Sequence, residues 1–87
     1  KSYFPLAVQK KTGDEFSPVI IYNIEKGDEL RIRNMEIIPA DSQLISRSAY
    51  IDYSFVTGEA KPVRVAQGDL IYAGGRLIGE PACVVVQ

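Results

Sequence analysis

The feature that most constrains the fold is the shortness of the apolar runs and the regularity with which glycine and proline interrupt them. The aliphatic residues are largely β-branched, and in segments such as Leu30-Arg31-Ile32-Arg33 they alternate with charged residues. A period of two is typical of a strand with one buried face. No window as long as an ordinary helix, about 12 residues, has a convincing helical period. The chain is therefore expected to consist almost entirely of strands and turns.

The spacing of these segments predicts an all-β domain, a small and distorted jelly roll or β-sandwich of short strands. Residues 1–7 are compatible with a short helical lead-in that continues from upstream. Lys26-Gly27-Asp28 and Gln67-Gly68-Asp69 each precede an aliphatic strand, and two ordinary turns are favoured over a true internal repeat. The predicted strands cover residues 6–10, 19–22, 30–33, 37–38, 43–45, 50–55, 63–65, 70–72 and 82–86.

Length and composition exclude several functions. A chain of 87 residues forms one domain, residues 1–87. Ten basic and eleven acidic residues give a formal charge of −1 and no basic block, which argues against nucleic acid as a partner. With no histidine and one cysteine the segment predicts no metal site and no disulfide. Cys83 lies in an apolar strand and is interpreted as a small core residue rather than a reactive thiol.

The sequence suggests three other functions, and two of them lack residues that they would need. Lys11-Thr12-Gly13 resembles part of a phosphate-binding loop, but the glycine spacing and the helix of such a loop are missing. Asp52 and Glu59 could form the acid–base pair of a glycosidase, but no tryptophan is present to stack on a sugar. A small β-barrel that binds single-stranded nucleic acid or a protein partner stays open as the alternative, because the chain has eight aromatic residues.

The segment from Asp52 to Val63 is the most informative part of the sequence. Its strand-like alternation is broken by Val56-Thr57-Gly58-Glu59, and Pro62 then restricts the preceding lysine to extended geometry. A solvated hairpin would not require a carboxylate directly after the glycine. The segment therefore predicts a loop that presents Glu59 to something outside it.

This segment resembles the Asp-x-Ser-x-x-Thr-Gly-Glu-x-x-Pro sequence of P-type ATPase actuator domains. The same family is matched in the same order by Gly27-Asp28, by Glu36-Ile37-Ile38-Pro39-Ala40-Asp41 and by Gly68-Asp69-Leu70-Ile71-Tyr72-Ala73-Gly74, so the resemblance covers residues 19–87. Four positions depart from the family's usual residues: Met35 and Ser42 replace glycines, Tyr53 replaces an acidic residue and Gly75 replaces a threonine.

The resemblance implies a cytoplasmic domain of an integral membrane pump, and the absence of an initiating Met suits a segment of a larger protein. Such pumps form an aspartyl phosphate in an Asp-Lys-Thr-Gly-Thr motif of another domain, which this chain lacks. By resemblance, Glu59 positions the water that hydrolyses this phosphate, Gly58 and Thr57 complete the catalytic loop, and Asp52 and Ser54 support it. Rotation of the domain would gate the ion path.

The implied partners are the phosphorylation domain and the membrane helices of the same polypeptide. The transported cation would bind elsewhere, and the full pump would use ATP and Mg. The short lead into the first strand suggests the heavy-metal-transporting branch, with copper as the first candidate. The isolated domain is expected to be inactive.

Overall fold

The computed structural model describes residues 7–59 and 61–87, and these residues form nine strands, one 3-10 turn and one turn of α-helix. The all-β prediction is confirmed. The elements are β1 (Ala7–Thr12), β2 (Glu15–Ile20), a 3-10 turn (Ile21–Asn23), β3 (Glu29–Ile32), β4 (Ser42–Leu44), β5 (Ser48–Asp52), α1 (Ser54–Thr57), β6 (Val63–Ala66), β7 (Leu70–Ile71), β8 (Arg76–Ile78) and β9 (Ala82–Val86).

The strands form two sheets in which every pairing is antiparallel. The larger sheet has six strands in the order β2-β1-β3-β9-β4-β7, and the smaller has three in the order β6-β5-β8. An isolated bridge between Ile37 and Arg76 connects β8 to the segment after β3. In the described part of the chain, no helix is long and apolar enough to cross a membrane.

The core lies between the sheets because each strand turns alternate side chains inward. Leu30 and Ile32 are fully buried while Arg31 and Arg33 are exposed, as the alternation predicts. β9 contributes Ala82, Val84 and Val86 to the same cluster. The remaining buried hydrophobic residues are Val8, Ile38, Leu44, Ala49, Ile51, Val65, Ile71 and Leu77.

Several local predictions were wrong. The second strand covers Glu15–Ile20 rather than 19–22, so Pro18 lies inside an edge strand, where its missing N–H is tolerated. β8 was not predicted, because three residues are too few to show a period. Cys83 is in a strand but only half-buried, since its side chain alternates with the buried residues of β9. The proposed helical lead-in lies outside the described residues, except for Ala7, which begins β1.

The two glycine–aspartate turns are present where turns were predicted, and they share one geometry. Gly27 and Gly68 both have φ of 91°. In each turn an aspartate carboxylate accepts from the backbone amide three residues earlier, at 2.9 Å for Asp28 and 2.8 Å for Asp69. The positive φ explains why glycine precedes the aspartate in both turns.

Candidate functional site

Glu59 lies on a loop, as predicted, but the strand before it ends earlier than the predicted Phe55 and is followed by a single helical turn. β5 ends at Asp52 and α1 covers Ser54–Thr57. Gly58 ends the turn in the left-handed conformation at φ 81°, and its N–H donates to the Ser54 carbonyl at 2.8 Å. The short helix explains the loss of the period of two. We call residues 53–59 the Glu59 loop.

Two side chains hold the Glu59 loop in shape by bonding its backbone. The Asp52 carboxylate accepts from the Ser54 N–H at 2.8 Å, so Asp52 supports the loop as predicted, whereas Ser54 contributes its backbone amide. The Thr57 hydroxyl donates to the Tyr53 carbonyl at 3.3 Å and accepts from the Glu59 N–H at 3.2 Å. Thr57 therefore braces the turn.

Gly58 is required by backbone conformation rather than by space within this chain. A Cβ at this position would meet nothing within 4 Å, but the φ of 81° is strained for any residue with a Cβ. A glycine after the last helical residue is a common helix C-terminus. It reverses the chain so that Glu59 leaves the turn at its exposed end.

The Glu59 side chain is presented to solvent. The residue is exposed, and the hydrogen bonds and ion pairs within residues 7–59 and 61–87 include none to its carboxylate. Phe55 and Val56, on the preceding turn, are 73% and 70% exposed, and the Arg76 guanidinium lies 5.4 Å from the centre of the Phe55 ring. The loop is thus an exposed tip with a carboxylate beside apolar side chains.

The base of the Glu59 loop is fixed by Tyr53, whose contribution was not predicted. Its phenol oxygen accepts from the Tyr72 N–H at 3.0 Å, and the two rings lie 6.4 Å apart. A Cβ on the buried Gly75 would lie 2.7 Å from Tyr53 Cε1. Two departures from the family pattern, Tyr53 and Gly75, are therefore in contact. That proximity could not be read from a single sequence.

The remaining candidates do not form a second site. Lys11-Thr12-Gly13 lies where β1 turns into β2, so it does not precede a helix as a phosphate-binding loop does. An apolar groove of about 270 Å³ is lined by Ala7, Val8, Ile21, Met35, Glu36, Ile37 and Pro39, and it does not include the Glu59 loop. Within the described residues, no cluster of His, Cys, Asp or Glu is placed to hold a metal ion.

Comparison with known proteins shows which family and which relatives the chain is similar to. The sequence model of the P-type ATPase actuator domain matches residues 2–87. The chain is 39% identical over 74 residues to copper-transporting ATPase 1 of Rhizobium meliloti strain 1021, covering 79% of this chain and 9% of that protein. It is 36% identical over 70 residues to the ATP-binding subunit of a potassium-transporting ATPase of Bacillus cytotoxicus, covering 78% of this chain and 10% of that protein.

The fold agrees with solved structures of the same kind of protein. A crystal structure of a zinc-transporting PIB-type ATPase superposes with a TM-score of 0.89 at 29% identity, over 99% of this chain and 14% of that one. The chain thus spans about a tenth of the length of the curated relatives it matches. These comparisons give no support to the alternative, a small barrel that binds nucleic acid or a protein partner.

Proposed function

Because this chain belongs to the P-type ATPase actuator domain family, we propose that it is the actuator of a heavy-metal pump and that Glu59 directs hydrolysis of the pump's aspartyl phosphate. The observation that carries the proposal is the placement of Glu59. It follows a left-handed glycine at the exposed end of a braced turn, and its carboxylate has no partner within the described residues. A carboxylate held in this way can act on a group of another domain.

The chemistry requires a water molecule in line with the bond from phosphorus to the aspartyl oxygen. Glu59 orients this water and accepts its proton as the new oxygen–phosphorus bond forms. The bond to the aspartyl oxygen breaks, the aspartate carboxylate leaves with the electron pair, and inorganic phosphate is released. Thr57 and Gly58 hold Glu59 at the turn, and the phosphate itself belongs to the other domain.

The rest of the pump supplies what this chain lacks. We assign ATP, Mg and the phosphorylated aspartate to other domains of the same polypeptide, and the transported cation to its membrane helices. The domain lies on the cytoplasmic side, and its rotation couples dephosphorylation to ion gating. Such coupling needs two docked states of similar free energy.

Copper is the proposed ion, supported by the 39% identity to a copper-transporting ATPase. Relatives named for potassium and zinc share the same domain, so the ion is selected outside it. In membranes that contain the full pump, monovalent copper should stimulate ATP hydrolysis more than zinc, cobalt or potassium. Stimulation by another of these ions instead would contradict the copper assignment and leave the actuator role intact.

The proposed role of Glu59 is tested by Glu59→Gln in the full pump. The amide can bond water but cannot accept its proton at neutral pH. Loss of a positioned general base typically slows a step by about 10²–10⁴-fold. Radiolabelled phosphoenzyme should therefore form from ATP at the parent rate and decay far more slowly in a chase with unlabelled ATP. The melting temperature of the chain should barely change, because Glu59 is exposed.

The matched control is Glu80→Gln, which makes the same chemical change at an exposed carboxylate in the turn before β9. Phosphoenzyme of this variant should decay at the parent rate. Decay of the Glu59→Gln phosphoenzyme at the parent rate would show that Glu59 has no catalytic role.

A further inference from the structure

Tyr53 connects the Glu59 loop to both sheets of the domain. It directly follows β5 of the smaller sheet, and its phenol oxygen accepts from the N–H of Tyr72, which directly follows β7 of the larger sheet. The half-buried ring also packs against the hydrophobic core. One side chain therefore fixes the start of the loop relative to the strands on either side of it.

The backbone of the same residue holds the loop from within. The Tyr53 carbonyl accepts from the Val56 N–H at 2.8 Å, from the Thr57 N–H at 2.9 Å and from the Thr57 hydroxyl at 3.3 Å. The hydroxyl of Thr57 in turn accepts from the Glu59 N–H, so two hydrogen bonds link the Tyr53 carbonyl to the Glu59 backbone, while the phenol of the same residue bonds Tyr72. A shift of Tyr53 is therefore transmitted to Glu59 through bonds of the turn.

The backbone opposite the Tyr53 ring is shaped to admit it. Gly75 is buried, and a Cβ there would lie 2.7 Å and 3.0 Å from two carbons of the ring, too close for any side chain. The ring thus occupies the space that a side chain at position 75 would take. The contact fixes the ring against backbone, which is less able to move than a side chain.

We propose that Tyr53 is a positioning residue for Glu59 and that its phenol–Tyr72 hydrogen bond sets the rate of dephosphorylation without touching the phosphate. This inference rests on the proposed function and adds Tyr53 to the residues that determine the position of Glu59. The reason is geometric: a water must be held in line to attack, and small displacements of the group that orients it are costly in rate.

The test is Tyr53→Phe, which removes the phenol oxygen and keeps the ring in contact with Gly75. Loss of one ordinary hydrogen bond corresponds to a change of about two- to tenfold in an equilibrium. Phosphoenzyme decay should slow by about this factor, while phosphorylation by ATP keeps its rate. Because decay of preformed phosphoenzyme is first order, its rate constant does not depend on how much of the variant is folded.

A second measurement observes the loop directly. In the 87-residue chain, hydrogen exchange of the Val56, Thr57 and Gly58 amides should be faster in Tyr53→Phe, because the carbonyls they bond are less firmly held. The matched control is Tyr50→Phe, the same change on β5 at a side chain that is 50% exposed. It should alter neither exchange nor decay.

The outcomes separate this inference from the proposed function. If Glu59→Gln slows decay and Tyr53→Phe does not, the positioning role is wrong and the proposed function stands. If Tyr53→Phe slows decay while the three loop amides exchange as in the parent, the hydrogen bond does not act through the loop, and the inference is equally overturned. If the Glu59→Gln phosphoenzyme decays at the parent rate, the proposed function and this inference both fail. Slower phosphoenzyme decay together with faster exchange of the loop amides in Tyr53→Phe, with neither change in Tyr50→Phe, supports the inference.

Discussion

Met35 occupies a backbone conformation that usually belongs to glycine. Its φ is 73°, and it is the third residue of a turn closed by the Glu36 N–H donating to the Arg33 carbonyl at 3.0 Å. The same turn is tied by the ion pair of the Arg33 guanidinium with Glu36 at 2.8 Å, and hydrogen bonding to that carboxylate raises the pKa of Arg33. The family's usual glycine at this position is explained by the turn.

Met35→Gly is therefore expected to stabilise the chain. A left-handed conformation costs a residue with a Cβ about 1–2 kcal/mol, and the greater freedom of glycine in the unfolded chain offsets about 0.5–1 kcal/mol of that gain. We expect the free energy of unfolding to rise by about 0.5–1 kcal/mol, measured by urea denaturation. Met35→Ala is the control, because it removes the half-exposed side chain and keeps the strain. Equal stability of the two variants would contradict the argument.

Ser42, another departure from a family glycine, shows how a polar residue is accommodated in the core. It is fully buried at the start of β4, and its hydroxyl donates to the Ala40 carbonyl at 2.7 Å. The carboxylate of the neighbouring Asp41 accepts from the Ala73 N–H at 2.9 Å. The Pro39-Ala40-Asp41 turn is thus tied to the connection between β7 and β8.

That connection is the element on which the Glu59 loop rests. Residues 72–75 provide the amide for the Tyr53 phenol, and the buried Gly75 passes directly over β5. The Gly75 carbonyl accepts from the Ile38 N–H at 2.7 Å, and the Gly74 N–H donates to the Ile38 carbonyl at 2.9 Å. A rigid connection beneath a functional loop is what an exposed carboxylate needs to keep a defined position.

Gly75→Ala should disrupt this packing. The new Cβ would lie 2.5 Å from Ile51 Cγ2 as well as against the Tyr53 ring, and neither can move away freely. Overpacking of this kind typically costs about 1–3 kcal/mol, and we expect that loss in the free energy of unfolding measured with urea. Ala73→Ser, at an exposed neighbour in the same connection, should have no such effect. An unchanged denaturation midpoint for Gly75→Ala would refute the close approach.

At the scale of the whole molecule, one hydrophobic cluster of the described residues lies between two antiparallel sheets, and the exposed Glu59 loop follows β5 of the smaller sheet. The domain boundary of 1–87 stays a prediction. Under the proposed function, this arrangement would provide one part of an active site, and the phosphate, the nucleotide and the ion would be bound by other domains. The proposed function and the small share of its relatives' length that this chain covers are consistent with that division.

The isolated chain is expected to fold alone, to remain monomeric and to be inactive. At ordinary per-residue values its free energy of unfolding should be about 4–13 kcal/mol, with a far-UV circular dichroism spectrum of β type. Titration calorimetry should detect no binding of MgATP and none of single-stranded oligonucleotide at physiological salt. A spectrum dominated by helix would contradict the fold, and tight, salt-sensitive binding of the oligonucleotide would revive the alternative.

The sequence by itself determined the fold class, the turns and the loop that carries Glu59. Those features depend on near neighbours along the chain: a period of two buries one face of a strand, and glycine before aspartate permits a positive φ. The tertiary structure alone decided that the segment after β5 is a helical turn, that Cys83 is only half-buried and that Tyr53 meets Gly75 and Tyr72. The contact of Tyr53 with Gly75 and Tyr72 joins residues distant in sequence, and a pattern read along one chain contains no information on which distant residues meet. The helical turn and the half-burial of Cys83 are local, but four residues are too few to show a helical period, and an all-apolar strand does not show which face is buried.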